Sequence, residues 1–147
     1  MKRHDRLKPV SRIAGSREEA AARKMAASND RVARQEQRLT QLEGYLAEYN
    51  LGRENGRTVL NAGQLRIHQG FVDTLYKACV GEKIKLNSAV AEHAKMREEW
   101  LDAHRRNKAL ETFIDKSLRE ERIKRDKHEQ KDADALVVLN HPGVRKS

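Results

Sequence analysis

The sequence is short of proline and of aromatic residues. Only two prolines occur in 147 residues, Pro9 and Pro142, and each lies near one end. Because proline is the strongest helix breaker, everything between them is free to be helical. Aromatic residues make up 4% and hydrophobic residues 37% of the chain, too little large apolar material for a sizeable single core. The composition favours extended helix pairing over a globule.

Two other absences restrict the setting of the protein. The single cysteine, Cys79, excludes a disulfide within one chain and fits a reducing cytoplasm. No apolar run approaches the length needed to span a bilayer, and the basic first residues are not followed by the apolar segment of a signal peptide. We therefore expect neither a signal peptide nor a membrane anchor.

A very long helix is predicted from Asn61 to about residue 138. At roughly 1.5 Å per residue, its proline-free part up to Asp134 would be about 110 Å long. Asn61 and Gln64 form a capping-box pattern, and Leu60 and Leu65 form a hydrophobic staple across the cap. An a/d seam then repeats at steps of three and four residues. Its members are Leu65, Val72, Leu75, Cys79, Leu86, Ala89, Met96, Trp100, Ala103, Leu110 and Ile114, and it is interrupted by His68, Glu82, His93 and Asn107.

The first helix is predicted at about 9–51, with a start at either Pro9 or Ser16, followed by a loop at 52–60. Two helices joined by a short loop pack antiparallel. The fold class is therefore all-α: a single coiled-coil hairpin domain over 1–147, with a longer, overhanging second helix and a flexible tail at 139–147. The seam of the first helix comprises Ala21, Met25, Ser28, Val32, Leu39, Leu42, Leu46 and Tyr49. The predicted core is formed by Val32, Leu39, Leu42, Leu46, Tyr49, Leu65, Val72, Leu75, Cys79, Leu86, Met96 and Trp100.

The unequal helices predict an unpaired segment. Pairing outward from the loop gives partners whose numbers sum to roughly 112, so the second helix overhangs from about Arg105 to Asp134. Apolar residues without a partner inside the chain indicate a binding surface, and basic residues around them would steer an acidic partner. The candidate partner-binding residues are Arg105, Arg106, Leu110, Phe113, Ile114, Leu118, Arg119, Arg122 and Ile123.

Other chemistry is not expected. The net charge is +9, but the basic cluster between Arg119 and Lys131 is interleaved with carboxylates, which is more typical of a solvated face than of a phosphate-binding one. No two histidines are three or four residues apart, so no ready metal site exists. A two-helix hairpin also lacks a cleft for a catalytic constellation. We expect no enzyme activity, no cofactor, no metal and no nucleic-acid partner.

Particular residues nevertheless resemble those of a known family. The end of the first helix reads Arg38-Leu39-x-x-Leu42-x-x-Tyr45-x-x-Glu48-Tyr49. The second helix carries Leu65-x-x-His68-x-x-Phe71-x-x-x-Leu75, then Arg97-x-x-Trp100 and Leu110-x-x-Phe113, and near its end Glu129-Gln130-Lys131-x-x-Asp134. Over about residues 6 to 135 this pattern resembles the FliJ family of flagellar type III export proteins.

The resemblance implies a non-catalytic stalk similar to the central shaft of rotary ATP synthases. Such a stalk would insert in the hexameric flagellar export ATPase, engage the export-gate membrane protein and escort export chaperones. It would be monomeric alone and cytoplasmic, associated peripherally with the inner face of the cell membrane at the flagellar base. The alternatives are the equivalent stalk of a virulence secretion system, similar to the YscO group, and a basic nucleic-acid-binding coiled coil.

Overall fold

The computed structural model describes residues 3–54 and 61–140, and these form two α-helices. Helix α1 is Arg3–Glu54 and helix α2 is Ala62–Asn140. Helix α2 is 79 residues long and α1 is 52. Within the described ranges there is no strand. The predicted all-α fold with a longer second helix is confirmed.

The start of α2 follows the predicted capping box. The side-chain oxygen of Asn61 accepts a hydrogen bond of 2.8 Å from the backbone N–H of Gln64, and the Gln64 side chain accepts one of 3.1 Å from the backbone N–H of Asn61. The Asn61 carbonyl accepts the first helical bond, from Leu65, at 2.9 Å. Two backbone donors that a helix start leaves unpaired are thus satisfied reciprocally. Leu60, the other half of the predicted staple, lies outside the described residues.

Both ends of α1 differ from the prediction. The helix includes Arg3 and runs through Pro9 and Ser16, so neither predicted start is its beginning. Proline removes one helical hydrogen bond, but the first turns also gain contacts with α2, described below, which local sequence signals do not reveal. At the other end α1 continues through Gly52 to Glu54. The rest of the predicted loop, 55–60, lies outside the described residues.

The predicted flexible tail is divided in the same way. Leu139 and Asn140 belong to α2, whereas residues 141–147 lie outside the described residues. The contacts within the chain separate two compact units. Unit 1 combines Met1–Glu18 with Ala103–Ser147, and unit 2 is Glu19–Asp102. The single hairpin domain over 1–147 stays a prediction.

In unit 2 the two helices run antiparallel. The ring of Tyr49, near the end of α1, packs against that of Phe71 near the start of α2, with centroids 4.8 Å apart and planes tilted by 53°. Further from the loop, Ser28 contacts His93 at 2.9 Å. Leu39, Cys79 and Ala89 are the buried hydrophobic residues of the described chain. Of the other predicted core residues, Tyr49 and Leu65 are 40% and 36% exposed. The half-buried ones are Val32, Leu42, Leu46, Val72, Leu75, Leu86, Met96 and Trp100.

The pairing of the helices is shifted from the predicted one. A sum of roughly 112 places Ser28 opposite residue 84, yet its partner is His93. The predicted partner of Gln35 is likewise several residues before the observed Glu82. Helix α1 ends at Glu54, three residues later than the predicted end at 51, which shifts the pairing in this direction. Ser28 and Gln35 accordingly meet later residues of α2 than predicted.

Polar residues of the α2 seam in unit 2 each contact a side chain of α1. His68 lies against the Tyr49 ring, with centroids 5.7 Å apart. Glu82 accepts a hydrogen bond from the side-chain amide of Gln35, which also donates to the Glu82 carbonyl at 3.2 Å. That amide lowers the pKa of the Glu82 carboxyl below its ordinary value. The polar interruptions of the seam are therefore contact points between the helices.

In the contact between Ser28 and His93, the histidine is the hydrogen-bond donor. The Ser28 hydroxyl donates its only proton to the Met25 carbonyl at 2.7 Å. Its oxygen can therefore only accept from His93 Nδ1, so that nitrogen carries a proton. Ser28 is 4% exposed. The buried Ser28 oxygen is therefore the acceptor for the half-buried imidazole of His93.

Candidate partner-binding surfaces

Unit 1 pairs the first residues of α1 with a segment that was predicted to be free. Glu18 accepts hydrogen bonds from His104 Nδ1 at 2.7 Å and from the Asn107 side-chain amide at 2.6 Å. His4 Nδ1 lies 2.8 Å from the Glu121 carboxylate, and the Arg3 guanidinium lies 5.9 Å from the centre of the Phe113 ring. The prediction that the segment from Arg105 to Asp134 lacks a partner within the chain is wrong for its first part, up to Glu121. The reason is that α1 includes residues from Arg3, six positions before Pro9.

The seam of unit 1 is mostly polar. From Asn107 it continues through the half-buried Leu110 and Ile114 to Ser117, which is 5% exposed, and Glu121. These steps of three and four residues pass through Ser117 and leave Leu118 beside the seam, 36% exposed. The spacing alone places Ser117 in the seam, but a polar residue is not expected at a buried position. Few large apolar residues hold the two helices together here.

The nine predicted partner-binding residues are therefore of two kinds. Leu110 and Ile114 are half-buried in the seam of unit 1. The other apolar ones are exposed: Phe113 at 43%, Leu118 at 36% and Ile123 at 54%. The four arginines at the surface are Arg105, Arg106, Arg119 and Arg122.

The α2 segment after Glu121 is exposed along its described length. Every side chain from Arg122 to Asn140 is exposed, and His4 of α1 lies near the first of them, beside Arg122 and Arg125. We call Arg122–Asn140 the α2 extension. It mixes basic and acidic residues and ends with four consecutive exposed apolar residues. These are Leu136, Val137, Val138 and Leu139, at 60%, 64%, 51% and 64% exposure.

The predicted site did not include that apolar end. A run of four apolar residues gives no helical periodicity from which to infer a face. In the structure the run is the last turn of a helix, so its side chains project on all sides. An apolar turn without cover in the described chain indicates a contact with another molecule.

An aromatic surface in unit 2 was also missed as a site. We define it by Tyr45, Tyr49, Ile67 and Phe71, which are 53%, 40%, 75% and 45% exposed. Tyr45 and Tyr49 are four residues apart on α1, as are Ile67 and Phe71 on α2, so each pair shares a face. The rings of Tyr49 and Phe71 are in contact, which joins the two pairs. Tyr49 was predicted as a seam residue and Tyr45 and Phe71 belong to the family pattern, but spacing and residue type do not show how much of a ring remains exposed.

Other kinds of site are not found in the described part of the chain. Within residues 3–54 and 61–140 no three His, Cys, Asp or Glu side chains are grouped as metal ligands. Neither α1 nor α2 contains a segment long and apolar enough to cross a membrane. The absence of catalytic activity stays a prediction.

The pKa of one carboxyl depends on the pairing in unit 1. The hydrogen bonds from His104 and then Asn107 lower the pKa of Glu18 below its ordinary value. A carboxyl with a lowered pKa in the folded state stabilises the fold above its unfolded pKa, and that contribution disappears as the pH falls through the folded value. Unit 1 should therefore lose stability in acid, below the ordinary glutamate pKa of about 4.3.

We expect Glu18→Gln to reduce the acid sensitivity of the fold. The amide keeps one oxygen, which can accept only one of the two hydrogen bonds that His104 and Asn107 now donate to separate oxygens, and it has no proton to gain. The measurement is the thermal midpoint by circular dichroism between about pH 3 and pH 6. Glu19→Gln is the matched control, because the neighbouring Glu19 side chain is 77% exposed. An identical pH profile for Glu18→Gln and the natural protein would contradict the assignment; Glu82 leaves some acid sensitivity in all variants.

Together these features define a class of protein. It consists of two long α-helices paired through polar and apolar seams, with exposed apolar surfaces in both units, as in coiled-coil interaction proteins. A family model described as the flagellar FliJ protein matches residues 2–143. No curated protein and no solved structure gives a match. The chain belongs to the FliJ family, and it is accordingly a component of flagellar type III protein export.

Proposed function

We propose that this protein is the non-catalytic stalk of the export apparatus and that its α2 extension inserts in the hexameric export ATPase. Through other surfaces it engages the export-gate membrane protein and escorts chaperones. Family membership supports the general role. The observation that carries the proposed contact is the α2 extension, which is exposed throughout and combines basic residues with an apolar last turn.

The α2 extension has the properties that a narrow lumen requires. A lone helix is about 10–12 Å wide with its side chains, less than a pair of helices. Its apolar side chains are exposed in the described chain and can therefore contact the wall of the lumen. Its arginines and lysines favour a lumen lined by acidic residues. Phe113 and Ile123 extend the apolar contacts on either side of Glu121.

A coupling protein needs at least one surface for each partner. The aromatic surface in unit 2 supplies a second one, built from residues different from those of the α2 extension. Exposed Tyr and Phe side chains are enriched at protein interfaces because they bury a large area with few rotatable bonds. Through such contacts the protein would be held at the inner face of the membrane without spanning it.

The proposed ATPase contact predicts a loss of binding in Phe113→Ala combined with Ile123→Ala. Both residues are exposed. Phe113→Ala also removes the contact of its ring with the Arg3 guanidinium, so far-ultraviolet circular dichroism must show that the helix content is kept. We avoid Ile114 because it is half-buried and its replacement would also weaken the helix pairing. Co-sedimentation with the hexameric ATPase should weaken by about tenfold or more, the effect of losing two apolar contacts.

Tyr76→Ala combined with Ile84→Ala is the matched control. It also removes one aromatic and one isoleucine side chain, 62% and 65% exposed, but from unit 2. This control should bind the ATPase like the natural protein. Unchanged binding in the Phe113/Ile123 variant, or an equal loss in both variants, would show that the ATPase contact lies elsewhere.

A further inference from the structure

Helix α2 carries a second apolar stripe that is not part of the seam. Tyr76, Val80 and Ile84 follow one another at four-residue steps and are 62%, 44% and 65% exposed. Ala91 and Ala94, also exposed, continue the same face through Asn87. Residues spaced by three or four lie on one side of a helix. The stripe covers about five turns, or roughly 27 Å of helix.

The stripe faces away from α1. The seam residues that pack against α1 in the same segment are Cys79 and Ala89, 8% and 6% exposed. They alternate along the helix with the stripe residues, so α2 is apolar on two sides between Tyr76 and Ala94. One side is used for the fold. The other has no cover within the described chain, and exposed apolar rows of this length indicate an interaction surface.

Basic residues flank this stripe. Lys77 and Lys95 lie along one edge of it and Lys83 along the other, and all three are exposed. None of them has a carboxylate partner among the described residues. We call this face, from Tyr76 to Lys95, the lysine-flanked stripe.

The carboxylates of the same segment are already paired with other side chains. Between Tyr76 and Lys95 the sequence contains two acidic residues, Glu82 and Glu92. Glu82 binds Gln35 and Lys85, and Glu92 pairs with Arg31 of α1. The lysine-flanked stripe consequently presents positive charge that the fold does not neutralise.

We propose that the lysine-flanked stripe is a docking site for an acidic amphipathic helix of a partner protein. Apolar residues of that helix would pack on Tyr76, Val80 and Ile84, and glutamates or aspartates beside them would pair with the lysines, as at the edges of a coiled coil. The proposal does not depend on the ATPase contact, because the two surfaces share no residue.

The charges argue against the other occupants. A second copy of the chain would bring a face with lysines and no free carboxylate against itself, which is unfavourable. A nucleic acid would pair with the lysines but would leave the apolar centre of the stripe uncovered, because phosphate contacts do not bury isoleucine and valine side chains. Only an acidic helix complements both the apolar centre and its basic edges.

The test uses the full chain and two synthetic helical peptides. Both peptides carry the same leucine and alanine seam; one has glutamates at the flanking positions and the other has lysines. Fluorescence anisotropy should show binding of the glutamate peptide and at least about tenfold weaker binding of the lysine peptide. Equal binding of the two peptides, or no binding of the glutamate peptide, overturns the proposal.

Two variants locate the binding. Ile84→Asp should weaken binding of the glutamate peptide at least about tenfold, whereas Ile13→Asp, at a 53% exposed isoleucine outside the stripe and outside the proposed ATPase contact, should leave it unchanged. Lys83→Glu combined with Lys95→Glu should reverse the preference between the peptides. Equal effects of Ile84→Asp and Ile13→Asp overturn the proposal, as does a concentration-dependent dimer that Ile84→Asp abolishes. Circular dichroism confirms that each variant keeps its helix content.

Discussion

Replacing Leu39 with alanine is expected to lower the free energy of unfolding by about 2–3 kcal/mol. Leu39 is 8% exposed and is the largest of the buried hydrophobic residues in the described chain, the others being Cys79 and Ala89. Truncation removes buried methyl groups and leaves a cavity that the neighbouring helix cannot fill completely. Because two paired helices bury few side chains, the loss of one anchor is a large part of the stability of unit 2. Urea unfolding followed by far-ultraviolet circular dichroism measures the change.

Ile84→Ala is the control for Leu39→Ala. It removes a side chain of similar size from a position that is 65% exposed. Surface substitutions of this kind change stability by no more than about 0.5 kcal/mol. If the two variants lost equal stability, the burial of Leu39 would not be what holds α1 against α2.

The features that the sequence predicted correctly are those with local causes. The capping box at Asn61 and Gln64 depends on two side chains three residues apart, and both bonds are present. The helical class depends on composition and on the positions of two prolines. A periodic seam shows which side of a helix is covered, as the burial of Cys79 illustrates. None of these inferences requires knowledge of distant contacts.

The features that the sequence did not predict depend on the partner helix. Pro9 is a strong local signal for a helix start, but the contacts of Arg3 and His4 with α2 hold the earlier turn. Gln35, 8% exposed, was omitted from the seam because it is polar, although it fills the gap in the three- and four-residue steps between Val32 and Leu39. At this position the three- and four-residue spacing indicates the covered side of α1 better than residue type does.

The candidate partner-binding site was affected by the same error. If α1 began at Pro9, about 30 residues of α2 would be unpaired. The observed α1 begins earlier and its His4 contacts Glu121, so the exposed segment is shortened to the α2 extension. The proposed partner is still the export ATPase. The apolar residues proposed to contact it now include those at the end of α2, where Leu136 to Leu139 are exposed. Exposure of a side chain cannot be derived from periodicity unless the length of the opposite helix is known.

The polar contacts in the seam lead to a prediction in which the smaller substitution has the larger effect. Ser28→Ala removes one oxygen atom, and His93→Leu removes a whole imidazole. Ser28 is 4% exposed, and its hydroxyl is the acceptor for His93 Nδ1. Without it the Nδ1–H of His93 has no acceptor in the seam, which costs about 1–2 kcal/mol. In His93→Leu no donor is left unpaired, because Ser28 keeps its bond to the Met25 carbonyl.

Thermal and urea unfolding at neutral pH should therefore rank Ser28→Ala as less stable than His93→Leu. In the His93→Leu background, Ser28→Ala should cost almost nothing, since alanine is the better helix former and no partner is lost. The coupling energy between the two positions should reach about 1 kcal/mol. Ser88→Ala, an exposed serine of α2, is the matched control and should be neutral. If the losses of unfolding free energy at Ser28 and His93 were additive, their contact would not stabilise the pairing of the helices.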